Sequence, residues 1–336
     1  MPNVSGARER AFTMSANTAG LEVRVRAVRR EAEDVVSVDL VSAGDIPLVP
    51  FTAGAHIDVY LPNGLTRNYS LLGSQADGSQ YRIGVFKEPH SRGGSLYIHE
   101  QLQAGARLKI SEPRNHFALA EEAKRSVLFA GGIGVTPILS MLDRLNFLHR
   151  EWLLYYCVRT RAKAGFRSDL EALAAGGAGR IVYTFDAEPG GTMLDIGAAV
   201  AQEDVHSHFY CCGPRGMLEA FKQACLHRPP RQVHFESFTA PAEPAAAVGG
   251  FSVVLARSGR RVAIPQGSTI LDVLIEEGAD VSYSCAQGIC GACETAVLAG
   301  VPDHHDLVLT EEQRSSNKVM MICCSGCKGS ELVLDL

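Results

Sequence analysis

Apolar residues change rhythm twice along the chain, and the changes divide it. Val23–Val28, Val35–Val41, His56–Leu61, Thr66–Leu72 and Tyr81–Phe86 are short, β-branched runs separated by Gly, Pro or Asn. Such runs predict the strands of a small antiparallel barrel. From Ser126 the rhythm turns to strand–loop–helix units. Ser126–Ala130 leads into a Gly-rich loop and an apolar helical stretch near Pro137–Leu148, and Trp152–Val158, Arg180–Phe185 and His208–Cys212 alternate with further helical runs. That alternation predicts a parallel α/β sheet. Thr239–Gly250 (TAPAEPAAAVGG) has no apolar period and reads as a linker. After it, Phe251–Ala256 and Arg261–Ile264 read as a hairpin about Ser258-Gly259, followed by a helix near Ile270–Glu277. No internal repeat is visible. The expected organisation is a polar tail over 1–20, a β-barrel over 21–120, an α/β domain over 121–238, the linker over 239–250, and a last domain over 251–336.

The 336 residues suffice for two or three such cores. Arg8, Glu9, Arg10 and Glu22 interrupt the N-terminus, which argues against a secretory signal, and no run approaches the roughly 18 apolar residues of a membrane span. A soluble, cytoplasmic protein is expected, with no membrane partner. The net charge of −5 is unevenly placed: residues 251–336 carry six Lys/Arg against eleven Asp/Glu, and the rest of the chain is balanced. An acidic C-terminal module disfavours nucleic acid, and suits either a basic partner surface or plain solvation.

Six of the ten cysteines fall between Cys285 and Cys327. In a reducing compartment such a cluster reads as metal ligation before disulfides. Cys285, Cys290 and Cys293 form C-x4-C-x2-C, with Cys323 thirty positions later, the spacing of plant-type [2Fe–2S] sites. Three thiolates from one short loop force the backbone close to the cluster, which Gly288 and Gly291 permit. A rival pairing, Cys290-x2-Cys293 with Cys324-x2-Cys327, could hold structural zinc. Its gap of 30 residues exceeds the usual 15–20 or so, and it leaves Cys285 and Cys323 unexplained. The stretch DHHDLVLTEEQ through VMMICCSGCKGSELVLDL resembles the C-terminal ferredoxin domain of the phthalate dioxygenase reductase and vanillate O-demethylase reductase family. The resemblance implies a β-grasp domain with Cys285, Cys290, Cys293 and Cys323 as ligands. Cys324 and Cys327 depart from the pattern and are expected to be bystanders.

Upstream segments extend the resemblance. Arg67-Asn68-Tyr69-Ser70 resembles the R-x-Y-S motif of the ferredoxin reductase superfamily, which implies Tyr69 against a flavin ring, Ser70 near its N5, and Arg67 on phosphate or ring oxygens. Arg92-Gly93-Gly94-Ser95 opens an amphipathic stretch, Leu96–Leu102, and reads as an anion nest or an ordinary Ser-capped loop. Its place after Arg67–Ser70 implies a flavin phosphate site at Gly93, Gly94 and Ser95. Gly131-Gly132-Ile133-Gly134-Val135-Thr136-Pro137 follows a strand and opens a helix that Thr136 can cap. It is not G-x-G-x-x-G, so a standard Rossmann dehydrogenase is not indicated. It resembles the superfamily's GGxGxTP nucleotide loop, with Gly131, Gly132, Gly134 and Thr136 as its residues. Cys212-Gly213-Pro214 resembles the CGP motif, whose Cys borders the nicotinamide, while Cys211 reads as core. Phe235-Glu236-Ser237-Phe238 resembles the F-E-S-F segment, which implies Glu236 near the flavin N5 edge and Phe238 beside the cofactor.

From about residue 22 onwards, the resemblance implies a flavin barrel, a nicotinamide domain and a [2Fe–2S] domain in one chain. Hydride from NAD(P)H would reach flavin, FMN rather than FAD, and single electrons would leave through the cluster to a Rieske-type oxygenase. Ser70, Cys212 and Glu236 are the expected catalytic residues. NADH is expected before NADPH, although Arg159, Arg161, Lys163 and Arg167 could grip a 2′-phosphate or merely be solvated. The His304-His305 doublet reads as solvated. The alternative is a flavin reductase whose cysteine-rich end is a zinc or docking module.

Overall fold

The structure, a computed structural model, describes residues 20–44, 46–89, 91, 93–177, 179–238, 250–279, 281–283, 286 and 288–336. The expected tail and linker lie outside the described residues apart from Gly20 and Gly250, and so do Arg92 and the expected ligand Cys285.

The first body is a closed barrel. β1 (Leu21–Ala32) buries Val23 and Val25 and exposes Arg24 and Arg26, the two-residue period of a one-sided strand. With β2 (Val35–Ser42), β3 (His56–Tyr60), β4 (Thr66–Leu72), β5 (Tyr81–Phe86) and β6 (Arg107–Ile110) it closes in the order β1-β2-β5-β4-β3-β6, each pair antiparallel. β1 runs four residues past its apolar stretch because its charged end is partnered: Arg29 pairs with Asp39, and Glu31 receives Ser37 and Arg82. α1 (Gly94–Glu100) starts two residues earlier than expected, behind Gly93 at φ 101°.

The second body alternates β7 (Arg125–Gly131), α2 (Val135–Phe147), β8 (Glu151–Val158), α3 (Arg167–Ala175), β9 (Gly179–Phe185), α4 (Ile196–Ala201), β10 (His208–Cys212), α5 (Arg215–Ala224) and β11 (Val233–Glu236). Its five strands are all parallel, ordered β11-β10-β7-β8-β9. The chain winds one way from β7 and returns to the other side with β10. The crevice beyond the C-terminal ends of β7 and β10 is therefore the topological switch point, where open α/β sheets bind ligands. Val35, Ala53, Leu72 and Phe117 of the barrel share one core with α2 and the sheet, which fixes the two bodies together.

The third body has its own core. β12 (Phe251–Leu255) and β13 (Arg260–Ile264) form the expected hairpin, and α6 (Ile270–Glu276), capped by Thr269 at the Asp272 N–H, lays Ile270, Leu271 and Leu274 on the sheet. β14 (Glu294–Ala299), β15 (Pro302–Asp303), α7 (Glu311–Ser316), β16 (Val319–Met321), β17 (Gly326–Cys327) and β18 (Glu331–Leu334) complete it. The main sheet runs β13-β12-β18-β14-β16, with β12 and β18 parallel, and β15 pairs with β17. Among the described residues no helix is long and apolar enough to cross a membrane.

Candidate functional site

All three bodies meet at one cavity of about 320 Å³. The barrel supplies Thr66–Ser70 of β4 together with His56, Gly84, Phe86, Glu88, Ser91 and Ser95. Ser70 is 3% exposed and its Oγ has no partner among the described residues. A buried hydroxyl without a partner costs about 1–3 kcal/mol, so this atom marks a place a ligand would complete. Gly94 lies under Arg67, where a Cβ would come within 2.6 Å of the guanidinium Nε. Ser95 is not a cap. It is the second residue of α1, and its Oγ donates to Ser91 and accepts from the Glu88 N–H.

The α/β sheet supplies the facing wall. A Cβ on Gly131 would lie 2.5 Å from the Pro214 ring, and one on Gly134 would collide with the Cys212 carbonyl. The Gly131–Pro137 loop and Cys212-Gly213-Pro214 are thus pressed together at the switch point, with Gly132 at φ 54° between them. Thr136, expected to cap α2, lies inside it instead: Gly134 is the cap position, and Thr136 donates to the Ile133 carbonyl and lines the cavity. Cys212 is fully buried beside Glu236, its register partner on β11. Burial first, then the Glu236 carboxylate, pushes its thiol well above the usual range, so it stays protonated. Glu236 Oε2 is buried and has no partner among the described residues, although the residue as a whole is partly exposed, and burial pushes this carboxyl up to about 8. Ser237 and Phe238 complete this wall, while Cys211 is core, as expected.

The third wall is the cysteine loop, represented by Ile289 and Cys290. Cys290, Cys293 and Cys323 are buried. Gly288 donates to Cys323 Sγ at 3.2 Å and Ala292 to Cys290 Sγ at 3.5 Å. Hydrogen bonds from Cys293, then Cys324, hold the Cys323 thiol below its usual range. Gly288 and Gly291 sit at φ 70° and 72°, and a Cβ on Gly288 would lie 2.6 Å from Cys324 Sγ. Among the described residues no three His, Cys, Asp or Glu side chains converge on one metal position. A two-iron cluster asks for something else, since its four cysteines divide between two irons. Cys327 turns to Gly329 and Glu331 and takes no part in the loop.

Two further placements differ from, or escape, the sequence reading. His304 is not solvated: its side chain is 8% exposed and packed near the buried Asp306, whereas His305 bonds Asp303 at 3.0 Å. His56 carried no sequence signal at all. Its Nε2 lies 3.2 Å from the Cys290 carbonyl oxygen, and burial, Arg114 and His116 push its pKa down to about 3. Each member of the basic group expected near a ribose faces a carboxylate: Arg159 faces Asp186, Arg161 Glu188, Lys163 Asp34 and Arg167 Glu171.

Residues 128–223 match an oxidoreductase NAD-binding domain family, and residues 253–328 a 2Fe-2S iron-sulfur cluster binding domain family, which favours the cluster over zinc. Phenoxybenzoate dioxygenase subunit beta of Ectopseudomonas oleovorans is 49% identical, covering 97% of this chain and 100% of its own. Tetrachlorobenzoquinone reductase of Sphingobium chlorophenolicum is 47% identical, covering 94% and 98%. The structure of phthalate dioxygenase reductase, described as a modular structure for electron transfer from pyridine nucleotides to [2Fe-2S], matches with TM-score 0.67 and 35% identity over 95% of this chain and 98% of its own. An intact type IV self-sufficient cytochrome P450 monooxygenase matches at TM-score 0.87 and 36% identity over 98% of this chain, which spans 43% of that longer chain. A barrel, a nucleotide-binding sheet and a cysteine loop around one cavity thus have full-length counterparts, and the chain belongs to the phthalate dioxygenase reductase and vanillate O-demethylase reductase family of NAD(P)H-dependent iron–sulfur oxidoreductases.

Proposed function

We propose that the protein is the cytoplasmic reductase component of a Rieske-type oxygenase or demethylase system, using NADH, FMN and a [2Fe–2S] cluster. One observation carries this reading: strand β4, the end of β11 and the cysteine loop line the same cavity. Nicotinamide and flavin exchange two electrons as hydride, whereas the cluster takes them singly, so such a junction converts one currency of reduction into the other.

The chain's own residues divide the work. Tyr69 and Phe238 flank the ring, and Arg67, Gly93, Gly94 and Ser95 hold the phosphate. Gly131, Gly132, Gly134, Thr136, Gly213 and Pro214 shape the nucleotide crevice, where only glycine lets the two loops meet. Ser70 offers its unpaired hydroxyl to the reacting edge. Cys212, held as a thiol, adds a small neutral wall for the nicotinamide. Glu236, neutral below about pH 8, adds no charge against an incoming hydride. Cys285, Cys290, Cys293 and Cys323 hold the cluster.

NADH is favoured because Arg159, Arg161, Lys163 and Arg167 each already face a carboxylate, which a 2′-phosphate would have to displace. The test is reconstitution. The full chain with NADH should reduce cytochrome c and drive a Rieske oxygenase, and a fragment of residues 1–238 should keep ferricyanide reduction and lose both. Equal support of an oxygenase by the fragment would remove the cluster from the path. Quinone reduction without oxygenase support would favour the activity named for the 47% identical relative.

A further inference from the structure

The imidazole of His56 joins the barrel wall of the cavity to the cysteine loop. His56 opens β3 opposite Ser70 of β4, and its backbone exchanges two hydrogen bonds with Arg114, at 2.8 and 2.9 Å. Its position is therefore fixed from both neighbours in the barrel. The residue is 4% exposed and lines the cavity. Nε2 lies 3.2 Å from the Cys290 carbonyl oxygen. A carbonyl only accepts, so the proton is on Nε2 and Nδ1 is bare. Nδ1 is buried and has no partner among the described residues.

A second imidazole closes the grip. The His116 ring is 5.7 Å from that of His56, and it occupies the space where a side chain on Gly291 would stand. The Cys290–Gly291 peptide is thus held by a hydrogen bond on one residue and by packing on the next. The described residues between 281 and 293 lie in neither helix nor strand, so the His56 and His116 contacts hold this part of the loop without regular secondary structure of its own.

We propose that His56 is the positioning residue for electron transfer out of the cavity: its Nε2–H pins the Cys290 carbonyl to the barrel and sets the separation between flavin and cluster. This rests on the reading that the cavity holds flavin and Cys290 the cluster. Each step moves one electron, oxidising the reduced flavin by one and taking one ferric iron to ferrous, with NADH as the source and no heavy-atom bond made or broken. His56 contributes no electron and no proton. It acts only through the Cys290 backbone.

The test uses the full-length holoprotein and three replacements, His56→Leu, His56→Gln and His56→Asn. Leu keeps bulk without a donor, the Gln amide reaches about where Nε2 was, and the Asn amide falls short. Anaerobic stopped flow with NADH resolves flavin bleaching from the later change at cluster wavelengths. In His56→Leu the cluster phase should slow about tenfold or more beyond any change in the flavin phase, since small misplacements of reacting partners are costly. His56→Gln should recover most of that loss, with the cluster midpoint potential near wild type throughout. Equal slowing of both phases would overturn the proposal, as would Leu and Gln behaving alike. A potential shift large enough to explain the rate would reassign His56 to tuning. If His56→Leu loses a cofactor, the comparison becomes Gln against Asn, and Gln must be the faster. Wild-type protein lacking flavin or cluster absorption would instead refute the reading beneath the proposal.

Discussion

The cavity and the cysteine loop solve opposite problems. In the cavity, buried polar atoms are left open: Ser70 Oγ, Glu236 Oε2 and His56 Nδ1 have no partner among the described residues. At the cysteine loop two of the sulfurs are already served by backbone, with Gly288 donating to Cys323 and Ala292 to Cys290. An incomplete side-chain pocket is finished by whatever binds there, and its substitutions should change rates. A loop built from left-handed glycines and N–H groups is a mould, and its substitutions should decide whether anything is held at all.

The largest effect therefore belongs to the loop. Cys323→Ser should abolish the visible iron–sulfur absorption, and Cys324→Ser should keep it, because Cys323 is the sulfur that Gly288 and Cys293 address. The reverse result would put the ligand one residue later. The cavity should respond by degrees. Ser70→Ala should slow anaerobic flavin reduction about ten- to hundredfold with bound flavin near wild type, the range expected when one hydrogen bond to a reacting edge is lost. An unchanged rate would sink that role. Glu236 sharpens the contrast through pH. Its carboxyl, raised to about 8, is neutral below that value and ionised above it, and a carboxylate repels an arriving hydride. Flavin reduction should fall as pH rises through about 8, and Glu236→Gln should flatten the limb. The smallest effect is on the nucleotide. Asp186→Asn with Glu188→Gln frees Arg159 and Arg161, and the NADPH to NADH ratio of kcat/KM should rise only up to about fivefold, because exposed ion pairs are weak.

The same contrast governs what could be read from sequence. β4, β5 and the β12–β13 hairpin were legible because apolar alternation and turn residues are local, and the glycine motifs were legible because close approach admits one residue type. β6 escaped, being four residues with only Leu108 and Ile110 buried. So did β14–β18, of which β15 and β17 have two residues each and β16 three, too few to show a strand period. Thr136 had the chemistry of a cap and the wrong register. His304 looked solvated because its neighbours are polar, yet Asp306 and Arg314 fold that loop inward. His56 could not be seen at all, since its meaning comes from a contact 234 residues away.

The central claim is that electrons entering at the nucleotide crevice leave singly through the cysteine loop. It is tested most directly by anaerobic titration of the full-length holoprotein with NADH, following the visible spectrum and the electron paramagnetic resonance of frozen samples. Two irons and two sulfides per chain are expected, with the reduced-cluster signal growing as NADH is added. Flavin that bleaches fully while the cluster stays oxidised, or a chain that holds zinc and gives no signal, would contradict it.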